Sequence, residues 1–217
     1  MADSVDRSVQ PDAPSALPGS SRLDFDAAYD GTPPWDIGRP QPVFADLAAA
    51  EALRGRVLDV GCGTGEHALL AAQLGLAATG LDTSPKAIAI ARDKARARGL
   101  GVRFLVGDAL DLPSMGEQFD TVIDSGLFHV FDDERRVRYV KSLRKAVAPG
   151  GHVFLLCFSD RQPGEFGPRR VTQEEIRTAF AEGWRVDAID EARMIATSAP
   201  DGVFAWHATI TRAAQEP

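Results

Sequence analysis

The run from Val57 to Gly65, reading VLDVGCGTG, constrains this chain more than any other stretch. A short apolar segment holds an acid at Asp59, and a turn with Gly61, Gly63 and Gly65 follows it. A second acid, Asp82, closes the next apolar segment. Its separation from the turn, about 20 residues, is that of a nucleotide-type site on a doubly wound sheet. A pyrophosphate-binding turn needs glycine at its first, third and sixth places, and the sixth place here is Glu66. A glutamate at a helix start would oppose a phosphate where free N–H groups and the helix dipole should bind one. The expected ligand therefore carries no phosphate there.

Beyond this turn, strands and helices alternate. The pattern predicts strands at 56–60, 77–82, 102–106, 121–124 and 152–158, and helices at 66–74, 85–98, 133–148 and 173–180. Ser84 followed by Pro85 marks a helix start, and Gly99 marks its stop. Asp132 caps the next helix, and Pro149, Gly150 and Gly151 end it. Such alternation means βαβ units, so the fold class is α/β: a doubly wound, Rossmann-like, mostly parallel sheet with helices on both faces. Two final runs, 184–192 and 203–211, are joined by a polar loop and should form an antiparallel edge hairpin.

The segment before the first strand differs. Residues 1–22 are rich in Ser, Asp, Ala and Pro without periodicity and read as a disordered tail. Residues 23–217 read as a single domain, with 23–45 as an N-terminal lid over the site. Within that lid, Phe25, Tyr29, Trp35 and Ile37 interleave with acids, Arg39 and prolines. A short helix at 24–29, a rigid loop through 32–40 and an amphipathic helix at 43–53 fit this pattern.

Composition narrows the partners. The chain of 217 residues has a formal net charge of -7, which argues against a nucleic-acid backbone as partner. Its two cysteines, Cys62 and Cys157, read as small apolar residues in a reducing compartment, with no disulfide and no metal site. No apolar run is long enough for a membrane span, and the N-terminus lacks the apolar core of a secretory signal. The expectation is a cytoplasmic protein, a monomer or weak dimer, with a small-molecule partner.

Ligands on such a sheet bind beyond the carboxyl ends of the strands, where strand order reverses. Asp59, Gly61, Cys62, Gly63, Asp82, Thr83, Asp108, Ala109 and Asp124 all fall at such ends. With Glu66, the acids form a negative mouth suited to a ribose diol, an adenine amine and an ammonium. Asp82 can accept from both ribose hydroxyls, Asp108 from an exocyclic amine, and Asp59 from an ammonium.

These residues sit in a set of motifs: VLDVGCGTG at 57–65, Leu81-Asp82, GDAL at 107–110, FDTVID at 119–124 and LRKAVAPGG at 143–151. Together they resemble class I S-adenosylmethionine-dependent methyltransferases over about residues 45–211. The resemblance implies a seven-stranded sheet whose last strand is antiparallel, and cofactor contacts from Gly61, Gly63, Asp82, Asp108 and Ala109. The run TPPWDIGRPQP at 32–42, with GPRRV at 167–171, is similar to small-molecule methyltransferases of the thiopurine and halide/thiol types. It is also similar to actinobacterial enzymes that methylate hydroxylated quinolones and other heterocycles. In those families the proline-tryptophan segment folds over the cofactor and shapes the acceptor pocket. That role falls here on Trp35, and after it on Tyr29 and Ile37.

Methyl transfer from a sulfonium needs alignment and exclusion of water, and a base only when the acceptor is protonated. His129, just past the fourth strand, is the candidate base, weighed against a purely structural role. Arg169 and Arg170 are candidates for an acceptor carboxylate, phenolate or carbonyl, against a helix-docking role. Phe128, with Phe131, Phe158 and Phe166, is a candidate wall of an aromatic pocket, against simple core packing. The basic run Arg135, Arg136, Arg138 and Lys141 reads as a solvated helix face. The expected activity is methyl transfer to an oxygen, sulfur or nitrogen of a small aromatic or heterocyclic molecule. Its rivals are a thiol/halide methyltransferase, a binding protein without turnover, and an oxidoreductase that Glu66 disfavours.

Overall fold

The computed structural model describes residues 25–165 and 167–214. The tail expected at 1–22 and the aromatic candidate Phe166 lie outside them.

Each central strand is apolar on both sides, and successive residues feed opposite faces of the sheet. Val57 packs with Phe44, Ala71 and Ile123 on one face. Leu58 packs with Val122, Tyr139 and Leu155 on the other. A strand buried on both faces forms where helices cover both sides of a parallel sheet. The strands are β1 (Arg56–Val60), β2 (Ala77–Asp82), β3 (Val102–Val106), β4 (Phe119–Ser125), β5 (Val147–Phe158), β6 (Trp184–Ala196) and β7 (Ala199–Arg212). They form a seven-stranded sheet in the order β3-β2-β1-β4-β5-β7-β6. The first five run parallel. Antiparallel β7 joins β5, and β6 pairs with β7 as the edge hairpin. Strand order reverses between β1 and β4, which opens the crevice there.

The helices are α1 (Phe25–Ala28), α2 (Pro42–Ala49), α3 (Glu66–Gln73), α4 (Pro85–Arg98), α5 (Asp133–Ala146) and α6 (Gln173–Ala179). Local chemistry sets their ends. The Ser84 hydroxyl accepts from Ala87 N–H, and Gly99 stops α4 in the left-handed region at φ 64°. Asp132 accepts from Arg135 N–H at the start of α5. Thr172 and Glu175 form a reciprocal capping box at the start of α6.

Several boundaries depart from expectation: β4 is longer at both ends, and β6 and β7 extend through most of the expected polar loop between 192 and 203. Helix α5 ends at Ala146, and Val147 is already extended, so Pro149, Gly150 and Gly151 lie inside β5. The residue before a proline disfavours helix, which turns Ala148 and its neighbour toward strand geometry. Helix α2 stops at Ala49, where Ala52 N–H closes onto Leu47 O. Two 3-10 turns, Ala109–Met115 and Phe128–Val130, follow β3 and β4 and were not foreseen.

Residues 25–41 lie as a strap across the carboxyl end of the sheet. Asp26 Oδ1 accepts from Ser84 Oγ at 2.6 Å and from Lys86 N at 3.1 Å, at the N-terminus of α4. A carboxylate there complements the helix dipole. Further along, the Gln41 side chain accepts from Ile195 N and donates to Ile195 O, both at 2.8 Å. Thr197 N donates to Pro34 O at 2.8 Å. The strap is thereby bound to the hairpin of β6 and β7.

Gly65 opens α3 at φ +87°, and a Cβ there would lie 2.6 Å from the Phe104 ring. Strain and overpacking then act together, so Gly65→Ala should cost more than about 2 kcal/mol. Urea unfolding measures this, and an unchanged midpoint would contradict the packing described.

Candidate functional site

The parallel register sets Val60 beside Leu81. The chain leaving β1 then bends across the end of β2. Gly61 N and Cys62 N both donate to Leu81 O, at 2.8 and 3.0 Å. Gly63 N donates to Asp82 Oδ2 at 2.8 Å, and Ser84 N donates to Oδ1 at 2.9 Å. Asp82 is half-buried, and that burial raises its carboxyl above the usual range against these hydrogen bonds. Each carboxylate oxygen keeps a second lone pair for a diol.

The strap covers this turn. A Cβ on Gly63 (φ +52°) would lie 2.7 Å from the Tyr29 hydroxyl, so only glycine fits beneath it. Trp35 Nε1 donates to that hydroxyl at 3.0 Å, and the Trp35 ring meets Phe25 and Tyr29 edge-on. Tyr29, expected on the acceptor side, therefore sits on the glycine turn. Desolvation pushes its phenol pKa up.

Asp59 is almost wholly buried. Its Oδ2 accepts from Ala68 N at 3.1 Å, while Oδ1 has no hydrogen-bond partner. His67 Nδ1 stands 3.8 Å from Oδ1, and its Nε2 accepts from Gln41 N at 3.1 Å. Asp108 caps the turn after β3 through Leu110 N, next to buried Ala109, and Thr83 is exposed beside Asp82. An orphaned buried carboxylate oxygen, bare glycine backbone and Asp82 fit a nucleoside with a diol and an ammonium.

Several expected residues do other work. Glu66 does not face the mouth as a free charge: Arg98 binds it through two hydrogen bonds at 2.8 and 2.9 Å, and Lys94 at 2.9 Å. These cations hold its carboxyl below the usual range against desolvation. The repulsion expected of Glu66 is therefore neutralised from α4. Asp124 is fully buried and does not line the mouth. It accepts from Leu127 N, Phe128 N and Tyr139 Oη, and burial pushes its pKa up to about 7.

His129 is buried too, and its Nδ1 accepts from Phe158 N at 3.0 Å. The neutral ring then carries its proton on Nε2, so the lone pair a base would use is already engaged. Desolvation, then Arg136 and Arg170, lower its pKa to about 3. The geometry corrects the base assignment to the structural one.

Phe128 belongs to the core, stacked on Phe180 beneath the Arg136 guanidinium. Arg136 itself is buried and pairs with Glu175, contrary to a solvated face. Arg169 pairs with Asp133 and Glu175. Arg170 donates to the carbonyls of Gln162, Gly164 and Pro168. Both arginines thus brace the loop before α6.

What the strap and the turn enclose is a narrow cleft of about 60 Å³, lined among others by Trp35, Ile37, Arg39, Gln41, Cys62, Ser125 and Met194. Arg39 and Gln41 were in the proline-tryptophan run and carried a signal as its polar members. Met194 and Ser125 carried none, because only the tertiary fold brings β6 over β1 and β4.

This arrangement is that of a methyltransferase. Residues 57–151 match the family described as "Methyltransferase domain". A 2-heptyl-1-hydroxyquinolin-4(1H)-one methyltransferase of Mycobacteroides abscessus is 38% identical over 183 residues, 79% of this chain and 81% of that protein. The chain belongs to the S-adenosylmethionine-dependent methyltransferases. A solved structure from work on converting a disulfide bond into a thioacetal group in echinomycin biosynthesis is 44% identical. Its TM-score is 0.81, and the match covers 88% of this chain and 93% of that one. A probable thiol methyltransferase of Arabidopsis thaliana is 31% identical, with 67% of this chain and 65% of that protein covered.

Two of the buried groups with shifted pKa values, His129 and Asp124, oppose each other in pH. Unfolded His129 binds a proton below about 6.5, whereas the folded ring resists until about 3. Its contribution to stability is present above about pH 6.5 and is lost as pH falls. Unfolded Asp124 ionises near 3.9, whereas the folded carboxyl does so near 7. Its contribution is present at low pH and is lost as pH rises between those values. His129→Asn keeps an acceptor for Phe158 N–H and should unmask a stability decline from about pH 4 to 7. Asp124→Asn should unmask a rise from about pH 3 to 6.5. Urea titrations across that range decide it; identical pH profiles in the three proteins would contradict the assignment.

Proposed function

We propose that this protein transfers a methyl group from S-adenosylmethionine to an oxygen, sulfur or nitrogen of a small aromatic or heterocyclic molecule. The observation that carries the reading is the strap that lays Trp35 and Tyr29 over the Gly63 turn. That strap covers the turn and leaves a narrow cleft lined by polar and apolar side chains alike. The cofactor supplies a methyl already activated on a positive sulfur. The protein's own residues bind, orient and exclude water.

In this reading Asp82 takes the ribose diol, with Thr83 beside it, and Gly61, Cys62 and Gly63 admit the cofactor to bare backbone. Asp108 and Ala109 hold the adenine, and the free oxygen of Asp59 meets the ammonium end. Trp35 closes over both ligands. Residues 23–217 act as one domain with 23–45 as the lid, in the cytoplasm, as a monomer or weak dimer. Among the described residues no helix is long and apolar enough to cross a membrane.

A sulfur acceptor is the second reading. It is favoured by the disulfide substrate named for the 44% identical structure. Turnover measured with matched panels of hydroxyquinolones, phenols and thiols separates the two. No turnover with any of them, alongside tight cofactor binding, would favour a binding protein.

Asp82→Asn should weaken S-adenosylmethionine binding by about tenfold or more in calorimetry, because a diol hydroxyl loses its charged acceptor. Unchanged affinity would remove Asp82 from the ribose role. His129→Asn should keep kcat within about threefold of wild type, with an unshifted pH–rate profile. A lost basic limb would restore the base assignment.

A further inference from the structure

Arg39 stands apart from the other cations around the cleft. It is exposed and lines the cleft beside Trp35, Ile37, Ser125 and Met194. Among the described residues its guanidinium has no hydrogen-bond or ion-pair partner. The nearest acid in sequence, Asp36, is engaged by Lys94 Nζ at 3.8 Å and by Gly38 N at 3.3 Å. Glu66 on the facing wall is committed to Lys94 and Arg98.

The other titratable groups around the cleft offer no base. From α3, His67 has its Nε2 lone pair engaged by Gln41 N–H. From the glycine turn, the Cys62 thiol is raised well above its ordinary value by burial. Asp82 and one oxygen of Asp59 are held by main-chain donors of α3, the turn and α4, and the unpartnered Asp59 Oδ1 is left to the ammonium end of the cofactor. From the strap, the Tyr29 hydroxyl accepts from Trp35. Past β4, His129 spends its lone pair on Phe158 N–H. The hairpin contributes Met194, which has no charge. Polar and apolar side chains line the cleft together, and among the described residues Arg39 is its one unpaired cation.

We propose that Arg39 binds the acceptor as its anion, so the protein selects aromatic or heteroaromatic hydroxyls and thiols that bind ionised. The proposal rests on the methyltransferase reading above. The proton passes to water as the acceptor binds, and no side chain has to take it up. A guanidinium fork suits a planar oxyanion or thiolate and favours the charged form of a group beside it. Trp35 and Ile37 give the ring a surface to lie on.

The test is equilibrium binding of nitrophenol and nitrothiophenol, whose anions are coloured, with S-adenosylhomocysteine present to prevent turnover. In wild type, the apparent pKa of the bound probe should lie about one unit or more below its value in water. Arg39→Met should remove most of that shift and weaken anion binding about tenfold. Arg39→Lys should keep part of it. Calorimetry should show S-adenosylhomocysteine affinity unchanged within about twofold in both variants. The same probe pKa in wild type and Arg39→Met overturns the proposal and leaves the methyltransferase reading standing. So does failure of either probe to bind a protein that binds S-adenosylhomocysteine. Failure to bind S-adenosylhomocysteine overturns both.

Discussion

Three main-chain hydrogen bonds hold the mouth in place: Gly61 and Cys62 to the Leu81 carbonyl, and Gly63 to the Asp82 carboxylate. They exist because parallel β1 and β2 end side by side. The turn must then cross the neighbouring strand's end with left-handed backbone, which glycine adopts without strain. Its path leads into the buried start of α3, seats Asp82 beside the turn and brings Gly63 beneath the Tyr29 hydroxyl. Each of the contacts around the cleft is built on that crossing.

Much of this was legible in the sequence, for physical reasons. β1 and β2, buried on both faces, are continuous apolar runs and were read to the residue, as was the edge strand β3. Ser84 and Gly99 mark α4 because a cap hydroxyl and a left-handed stop are local chemistry. The start of β5 was missed because its first residues, Val147 to Gly151, have the composition of a helix stop. They are recruited to the sheet by pairing with β4, which no local signal announces. The attachment of Gln41 to Ile195 spans 154 residues and was equally out of reach.

Charges were visible in the sequence, but their partners were not. Glu66 looked like a deterrent to phosphate, yet Lys94 and Arg98 neutralise it from 28 and 32 residues away. Asp124 looked like part of the mouth, yet Tyr139 and two amides hold it in the core. Arg169 looked like an acceptor clamp and proves to be a brace for its loop. The cofactor was still inferred correctly, because the glycine turn and Asp82 are contiguous motifs whose chemistry is local. The acceptor side depends on which charges are left over after folding, and among the described residues that line the cleft Arg39 is the cation left unpaired.

The link between the strap and the β6–β7 hairpin has a consequence for how the molecule is made. Pro34 and Gln41 are bonded to Thr197 and Ile195, and the Gln41 to Ile195 pairing spans 154 residues. Contacts so distant along the chain carry a large loop-closure entropy and form late. The sheet from β1 to β5 and the α4 end of the strap share contacts that do not involve the hairpin. Met194 reaches the cleft only with the hairpin docked, so a chain in which that docking is lost keeps the glycine turn but not the enclosed cleft.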